Sequence, residues 1–193
     1  MIYNGIEYTQ IPYAPTYYIS RCGKVLRVNG GRTIGIKQRI DMFGYMCCNV
    51  SKPNAPHSPV RIHRLLAITF LSLDVSCNKM LYKTHVNHID GNKLNNSLSN
   101  LEVIGMDENQ RHYQINTNKF GIGVTYHKGG GKYTARIQFN GKRRHIGLYS
   151  TPEQAQNAYI DAFIRYGLRD KYVEQLPAYK EAMMLKGIGV SIV

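Results

Sequence analysis

The chain has 193 residues, with 25 Lys plus Arg against 12 Asp plus Glu and a formal charge of +13. That length allows one large domain or two small ones, and a hydrophobic fraction of 43% argues against wholesale disorder. The cationic excess points to a polyanionic partner, of which nucleic acid is the commonest; the plainer alternative is a basic surface kept for solubility.

Four cysteines, Cys22, Cys47, Cys48 and Cys77, form no C-x-x-C pair. A cysteine-rich zinc site is therefore not expected, and all four read as small apolar residues in a reducing compartment. The start, Met1 to Gly5, lacks the basic-then-apolar pattern of a signal peptide, and no apolar run reaches the length of a membrane span. A soluble, cytoplasmic protein with no membrane partner is expected.

Residues 1–60 read as short strands broken by turns. Tyr17 to Ser20 is one strand, Cys22-Gly23 a turn, and Lys24 to Val28 a second strand that runs into Asn29-Gly30-Gly31, a hairpin signal. Tyr45 to Val50 is a third strand, with Cys47 and Cys48 on opposite faces, and Pro53 to Pro59 a loop. His63 to Leu71 reads as a short buried helix, because Leu65, Leu66, Ile68, Thr69 and Phe70 leave little polar face. Residues 80–104 suggest a hairpin whose long loop is rich in turn-forming Asn and Ser. Met106 to Ile115 can form a helix, and Asn116 to Lys119 a polar linker.

A second unit starts near Phe120. Gly121 to Lys128, Lys132 to Phe139 and Arg143 to Tyr149 are strands, separated by Gly129-Gly130-Gly131 and Asn140-Gly141. Thr151-Pro152-Glu153 starts a helix, with Thr151 as N-cap and Pro152 at the first helical position. Ala155, Ala158, Tyr159, Ala162 and Phe163 give that helix an apolar face. Lys171 to Val193 shows little pattern.

The chemistry-bearing stretch is His85-Val86-Asn87-His88-Ile89-Asp90-Gly91-Asn92-Lys93-Leu94-Asn95-Asn96, followed by Asn100-Leu101-Glu102 and, on the next helix, Asn109. A histidine near asparagines is usually a satisfied surface residue, and an Asn-rich loop is usually only a loop; the joint spacing carries the signal. This order resembles the HNH endonucleases, and among them the phage homing type, as does the upstream His63-Arg64-Leu65-Leu66-Ala67. The resemblance implies a β-hairpin and helix gripping one divalent ion, Mg²⁺ or Mn²⁺, per active site. It implies His88 as general base, Asn87 and Asn109 as metal ligands, and Asn100 as the residue that ties the loop together and helps orient the histidine. The chemistry fits those roles: an imidazole titrating near neutrality can take a water's proton, and a hard ion with oxygen ligands can meet phosphate.

Many members carry Asp or His where Asn87 stands, and His where Asn109 stands. Neutral amides hold Mg²⁺ less tightly, so metal and DNA are expected to bind cooperatively. His112 and Asp90 remain alternative ligands. His63 either contacts a phosphate near the scissile bond or caps its helix. His85 is expected to face away from Asn87 and is given no catalytic role.

Residues 120–166 resemble the AP2 DNA-binding domain, through Gly123-Val124, Gly131 to Ile137, Asn140 to Tyr149 and the helix after Thr151. The resemblance implies a three-stranded sheet that enters the major groove, backed by the helix. Lys132, Tyr133, Arg136, Lys142, Arg143 and Arg144 are the candidate DNA contacts. Arg143 and Arg144 face opposite ways, so only one of that pair is expected to reach DNA. Tyr18-Ile19-Ser20, Gly23-Lys24-Val25 and Gly44-Tyr45 resemble the module that often precedes phage HNH cores, which implies a β extension gripping the backbone.

The expected architecture is α+β: a β-rich grip module at 1–60, a ββα-metal core at 61–116, an AP2-like sheet and helix at 120–168, and a tail at 169–193. The expected activity is site-specific cleavage of double-stranded DNA by a monomer, as a nick. Two rivals are a DNA-binding regulator with a degenerate metal site and an RNA-binding protein using the same basic sheet.

Overall fold

The computed structural model describes residues 1–51, 58–73 and 84–187. Cys77, residues 53–57 of the expected loop, residues 80–83 of the expected hairpin and the end of the expected tail lie outside them. The chain divides into two compact units, Met1–Met106 and Asp107–Val193.

The first unit is built from short antiparallel strands. β1 (Ile2–Tyr3) and β2 (Ile6–Glu7) form a small hairpin. β3 (Thr9–Ile11), β4 (Ala14–Ile19), β5 (Val25–Asn29) and β6 (Arg32–Gly35) form a meander in that spatial order. The β5–β6 turn is the one the Asn-Gly-Gly signal predicts: Gly30 and Gly31 sit at φ 55° and 78°, the left-handed pair that a tight hairpin requires. β7 (Arg39–Ile40), β8 (Met46–Val50) and β9 (Ser58–Arg61) form a second sheet with β8 in the middle. Ser58 and Pro59 are thus strand residues rather than the end of a loop. Pro59 lies opposite Asn49 on the edge strand, where a missing N–H is tolerated.

α1 (Ile62–Phe70) follows β9 without a break and buries Ile62, His63, Leu65, Leu66 and Ala67. Tyr17 and Ile19 of β4, Val25 of β5, Cys48 of β8, and Leu65 and Leu66 of α1 meet in a single cluster, which Leu101 joins. Gly23 makes the approach possible: its φ is +84°, and a Cβ there would come within 2.8 Å of Ile62 Cγ2. The N-terminal strands and the hairpin formed by β10 (Thr84–His88) and β11 (Leu101–Gly105) therefore share one hydrophobic core.

The second unit takes up α2 (Met106–Thr117) almost from its start, with Asp107 and Glu108 in the first turn, where their charge suits the helix dipole. β12 (Val124–His127), β13 (Lys132–Phe139) and β14 (Lys142–Tyr149) form an antiparallel sheet in sequence order. α3 (Pro152–Arg165) packs on it, and Thr151 caps α3 by accepting a hydrogen bond from Gln154 N–H at 3.2 Å. Ile122, Ile137, Ile160 and Phe163 form the core between sheet and helix.

Two short helices, α4 (Lys171–Glu174) and α5 (Pro177–Leu185), occupy much of the stretch expected to be a tail. α4 docks through the buried Val173, and α5 through the buried Tyr179 with Ala178, Ala182 and Met183 packed beside it on one short helical face. Asp170 caps α4 through Tyr172 N–H and Val173 N–H and pairs with Arg111; its side chain is fully buried. Removing the ring of Phe163, which is 0% exposed, should cost about 3–5 kcal/mol. Phe163→Ala is expected to lower the urea midpoint followed by circular dichroism accordingly, whereas Leu148→Ala, at an exposed position, should shift stability by no more than about 0.5 kcal/mol.

Candidate functional site

Asn87 and His88 end β10, and both are buried, at 7% and 5% exposure. The hairpin register sets Asn87 directly opposite Glu102 and His88 opposite Leu101. Asn87 Nδ2 donates to Glu102 Oε1 at 2.8 Å, which orients the amide. His88 Nε2 lies 3.3 Å from Asn96 Oδ1. His85, expected to face away from Asn87, shares its face: the two are separated by two residues on a regular strand, with Ile104 and Glu102 as their partners.

Asn100 closes the loop between the strands. Its carbonyl accepts from Ile89 N–H at 2.9 Å, and its Oδ1 accepts from Asp90 N–H at 3.1 Å. Its Nδ2 donates to Asp90 Oδ1 and to Asn95 O, both at 2.9 Å. Asp90 also accepts from Asn92 N–H and from Asn95 Nδ2. These amide donors, Asn95 first and then Asn100, hold the Asp90 carboxyl below its usual range. Asp90 is thus engaged on both oxygens by the turn, and Gly91, at φ 72°, supplies the left-handed residue after it. Asn100 thus bonds to both ends of the loop, and the side chain that meets the His88 ring is Asn96.

Behind His88 lies a stack that the sequence does not announce. The His63 ring meets it edge-on, with centroids 5.0 Å apart and an interplanar angle of 77°. Tyr45 covers His63 at 4.9 Å. Arg61 and Lys93 lie 4.2 Å and 4.8 Å from the Tyr45 ring centroid, within cation–π range. Arg61 Nε also pairs with Asp41 at 2.7 Å, and Lys93 donates to Phe43 O. His63 is 5% exposed and its Nδ1 has no hydrogen-bond partner among the described residues. It does not cap α1, whose N-cap is Arg61. Burial pushes the His63 pKa down to about 3, helped by His88, Arg61 and Arg64. Burial likewise lowers the pKa of His88, against the contrary pull of Asn96 and Asp90.

The donor set suits a hard divalent ion. Among the described residues no group of three or more His, Cys, Asp and Glu is placed to hold a metal. What the hairpin presents is oxygen: an amide pinned by its nitrogen, beside the carboxylate that pins it. Glu102 is the residue that motif reading passes over; the signal was its cross-strand position once the hairpin is closed at His88 and Leu101. Asn109 is half-buried on α2, in the second unit. His112, the alternative ligand, is buried, stacked on Tyr172 at 3.9 Å and within 2.9 Å of Asn116 Nδ2.

In the second unit, alternation sorts the basic residues. Arg136 lies opposite His145 and Gln138 opposite Arg143, and all four are exposed on the face away from Ile137. Arg144 lies opposite Ile137 and Lys142 opposite Phe139, on the helix-covered side; the Arg144 guanidinium rests over the Phe139 ring at 5.5 Å. A register shift between Ala135 and Arg136 separates this end of β13 from the other. There, Lys132 is exposed, while Tyr133 packs against Phe120 and Tyr126 at the edge of a small apolar cluster.

Residues 82–111 match the family model described as HNH endonuclease, so the chain carries an HNH endonuclease domain over that stretch. Two uncharacterized HNH endonucleases of Acanthamoeba polyphaga mimivirus are 38% and 32% identical over 96 residues, half of this chain, and the match covers 26% and 22% of their lengths. A protein of Bacillus subtilis (strain 168) named as a prophage-derived HNH homing endonuclease is 38% identical over 76 residues, 39% of this chain and 40% of that one. The chain thus spans less than half the length of each of these relatives. The solved structure of the HNH homing endonuclease I-HmuI, titled for DNA binding and cleavage, aligns with a TM-score of 0.48 at 22% identity, covering 97% of this chain and 94% of that one. Among the described residues no helix is long and apolar enough to cross a membrane.

His63 makes the first unit acid-sensitive. Its folded pKa of about 3 lies below the ordinary 6.5, so below pH 6.5 the unfolded chain binds a proton that the folded one refuses. Stability is therefore full above pH 6.5 and falls progressively down to about pH 3. By pH 5 the loss should be about 2 kcal/mol. Urea midpoints measured at pH 7.5 and pH 5 should differ by that amount in the native chain, and by clearly less in His63→Phe.

Proposed function

We propose that the chain is a homing-type DNA endonuclease that hydrolyses one phosphodiester bond at a time. The observation that carries the reading is the end of β10: a buried, neutral His88 beside an amide turned by Glu102, within the stretch that matches the HNH endonuclease model. His88 takes the proton from the attacking water. A base must be unprotonated to act, and burial keeps this imidazole so at neutral pH. Asn87 and Asn109 are the proposed oxygen ligands of one Mg²⁺ or Mn²⁺, the part of Asn109 resting on the motif alone. When bound, the ion neutralises charge on the phosphate and assists the departing 3′ oxygen. Asn100 keeps the loop closed while this happens. A chain with one such site cuts one strand per event, so nicking by a monomer is the simplest outcome.

The sheet β12–β14 with α3 is proposed as an AP2-like DNA-reading unit. Arg136 and Arg143 share its open face and are the arginines proposed to enter the groove, with Lys132 on phosphate. Arg144, over the Phe139 ring, and Lys142 lie on the other side of the sheet, and Tyr133 packs against Phe120 and Tyr126. One observation favours the rival reading of a DNA-binding regulator: both proposed metal ligands from the motif are neutral amides.

Incubating the protein with duplex DNA and Mg²⁺ or Mn²⁺ decides between them. Nicks that disappear with a chelator and return with the ion support the nuclease; binding without any cut supports the regulator. His88→Ala should retain DNA affinity and lose cleavage by a factor of about 10²–10⁴. Arg136→Ala with Arg143→Ala should weaken binding by about 1–3 kcal/mol per arginine that reads a base. Arg144→Ala should do so much less.

A further inference from the structure

We propose that Asn96 is a positioning residue that holds His88 in a single tautomer, with the proton on Nε2 and the basic lone pair on Nδ1; the consequence for catalysis rests on the nuclease reading above. The two amide ends of Asn96 are told apart by their partners. Nδ2 donates to the Leu94 carbonyl at 3.3 Å, which can only accept, so Oδ1 is the end that faces His88 Nε2 at 3.3 Å. An amide oxygen has no proton to give. The neutral imidazole satisfies it only by carrying its own proton on Nε2, which leaves Nδ1 as the acceptor.

The geometry gives the ring little choice. His63 closes on it edge-to-face at 5.0 Å, and His88 is 5% exposed, so a flip that exchanged the two nitrogens would give up the bond to Asn96 in a poorly solvated place. Asn96 is itself half-buried and held within the turn that Asn100 braces, since Asn100 Nδ2 donates to the carbonyl of the adjacent Asn95. Asn100 makes no side-chain bond to the His88 ring among the described residues; its side chain is spent on Asp90 and Asn95. The labour is therefore divided: Asn100 closes the loop and Asn96 sets the base. A base whose lone pair faces the wrong way is present and inert, so loss of the tautomer lowers turnover and leaves DNA binding nearly intact.

The test reads the tautomer directly. In the full chain with ¹⁵N-labelled histidine, two-bond proton–nitrogen correlation spectra at neutral pH distinguish a protonated Nε2 from a protonated Nδ1. The native chain should show His88 wholly as the Nε2–H form. Asn96→Ala should show a mixture, with kcat for nicking about tenfold lower and KM little changed. Asn96→Asp, which keeps an acceptor in place but also favours the imidazolium, should restore the Nε2–H form and most of the turnover when both are read at alkaline pH. His63 in the same spectra reports whether each variant is folded. An Nδ1–H or mixed tautomer in the native chain overturns the proposal, as does an Nε2–H form undisturbed in a folded Asn96→Ala. Should the tautomer behave as expected in a protein that cuts no DNA, the positioning role stands and the nuclease reading falls.

Discussion

A two-stranded hairpin in water is marginal, and a long polar loop between its strands makes it more so, because every residue of the loop must be ordered without burying apolar surface. The closure at Asn100 is what reconciles the loop with the ladder. One residue receives Ile89 N–H on its carbonyl and Asp90 N–H on its side chain, and returns its own amide protons to Asp90 and Asn95. With both ends of the loop held, the register of β10 against β11 follows, and with it Asn87 against Glu102 and His88 against Leu101. A slip of one residue would turn His88 out of its pocket and Ile89 into it. Every feature of the candidate site stands on that closure.

The second constraint is the burial of two imidazoles, His63 and His88, in a strongly basic protein. Two effects oppose their protonation. The His88 ring is buried against His63, which is itself buried beneath Tyr45, so a proton on either imidazole would lie in a poorly solvated place. Arg61 and Lys93 gather around the same Tyr45, and their charges oppose protonation further: Arg61 acts on His63 and Lys93 on His88. Asp41 tempers the effect by pairing with Arg61. The histidine of the H-R-L-L-A segment, readable from sequence either as a phosphate contact or as a helix cap, packs edge-on against the His88 ring. That buried position gives it a cost in acid.

Legibility follows the range of the interaction. The hairpin that brings Asn87, His88 and Asn100 together is legible because their spacing lies within one local element; the roles of the three rest on the resemblance. The β5–β6 turn and the cap of α3 are legible because Asn-Gly-Gly and Thr-Pro carry their geometry locally. Glu102 and Asn96 are not, since each matters through one bond across the hairpin, and neither residue type is remarkable where it stands. Tyr45 stands just before β8, 43 residues before His88 in the sequence, and no periodicity links the two. α4 and α5 are hard to read for another reason: α4 is a single turn held by Val173, and the apolar face of α5, Ala178, Tyr179, Ala182 and Met183, is confined to one short stretch. Alternation alone separates Arg143 from Arg144, but which of them faces the helix depends on the irregularity near Arg136 and on the partner strand.

The neutral amides proposed as ligands are consistent with the rest of the charge distribution. A chain of net charge +13 repels a free divalent cation at long range, and Glu102, bonded to Asn87, offsets that locally together with Asp90 of the same hairpin. Bound DNA reverses the sign, because each phosphate brings a negative charge and an oxygen suited to a hard ion. A stronger carboxylate set would load the ion before DNA arrived and would lower the pKa of a water with no target to attack. Weak protein ligands make the ion's residence depend on the substrate. Under the nuclease reading, the substitution of asparagine for the more acidic or basic ligands of related sites is then a coupling device: His88 stands neutral and aimed in advance, and the positive charge it needs arrives only with the bond to be cut.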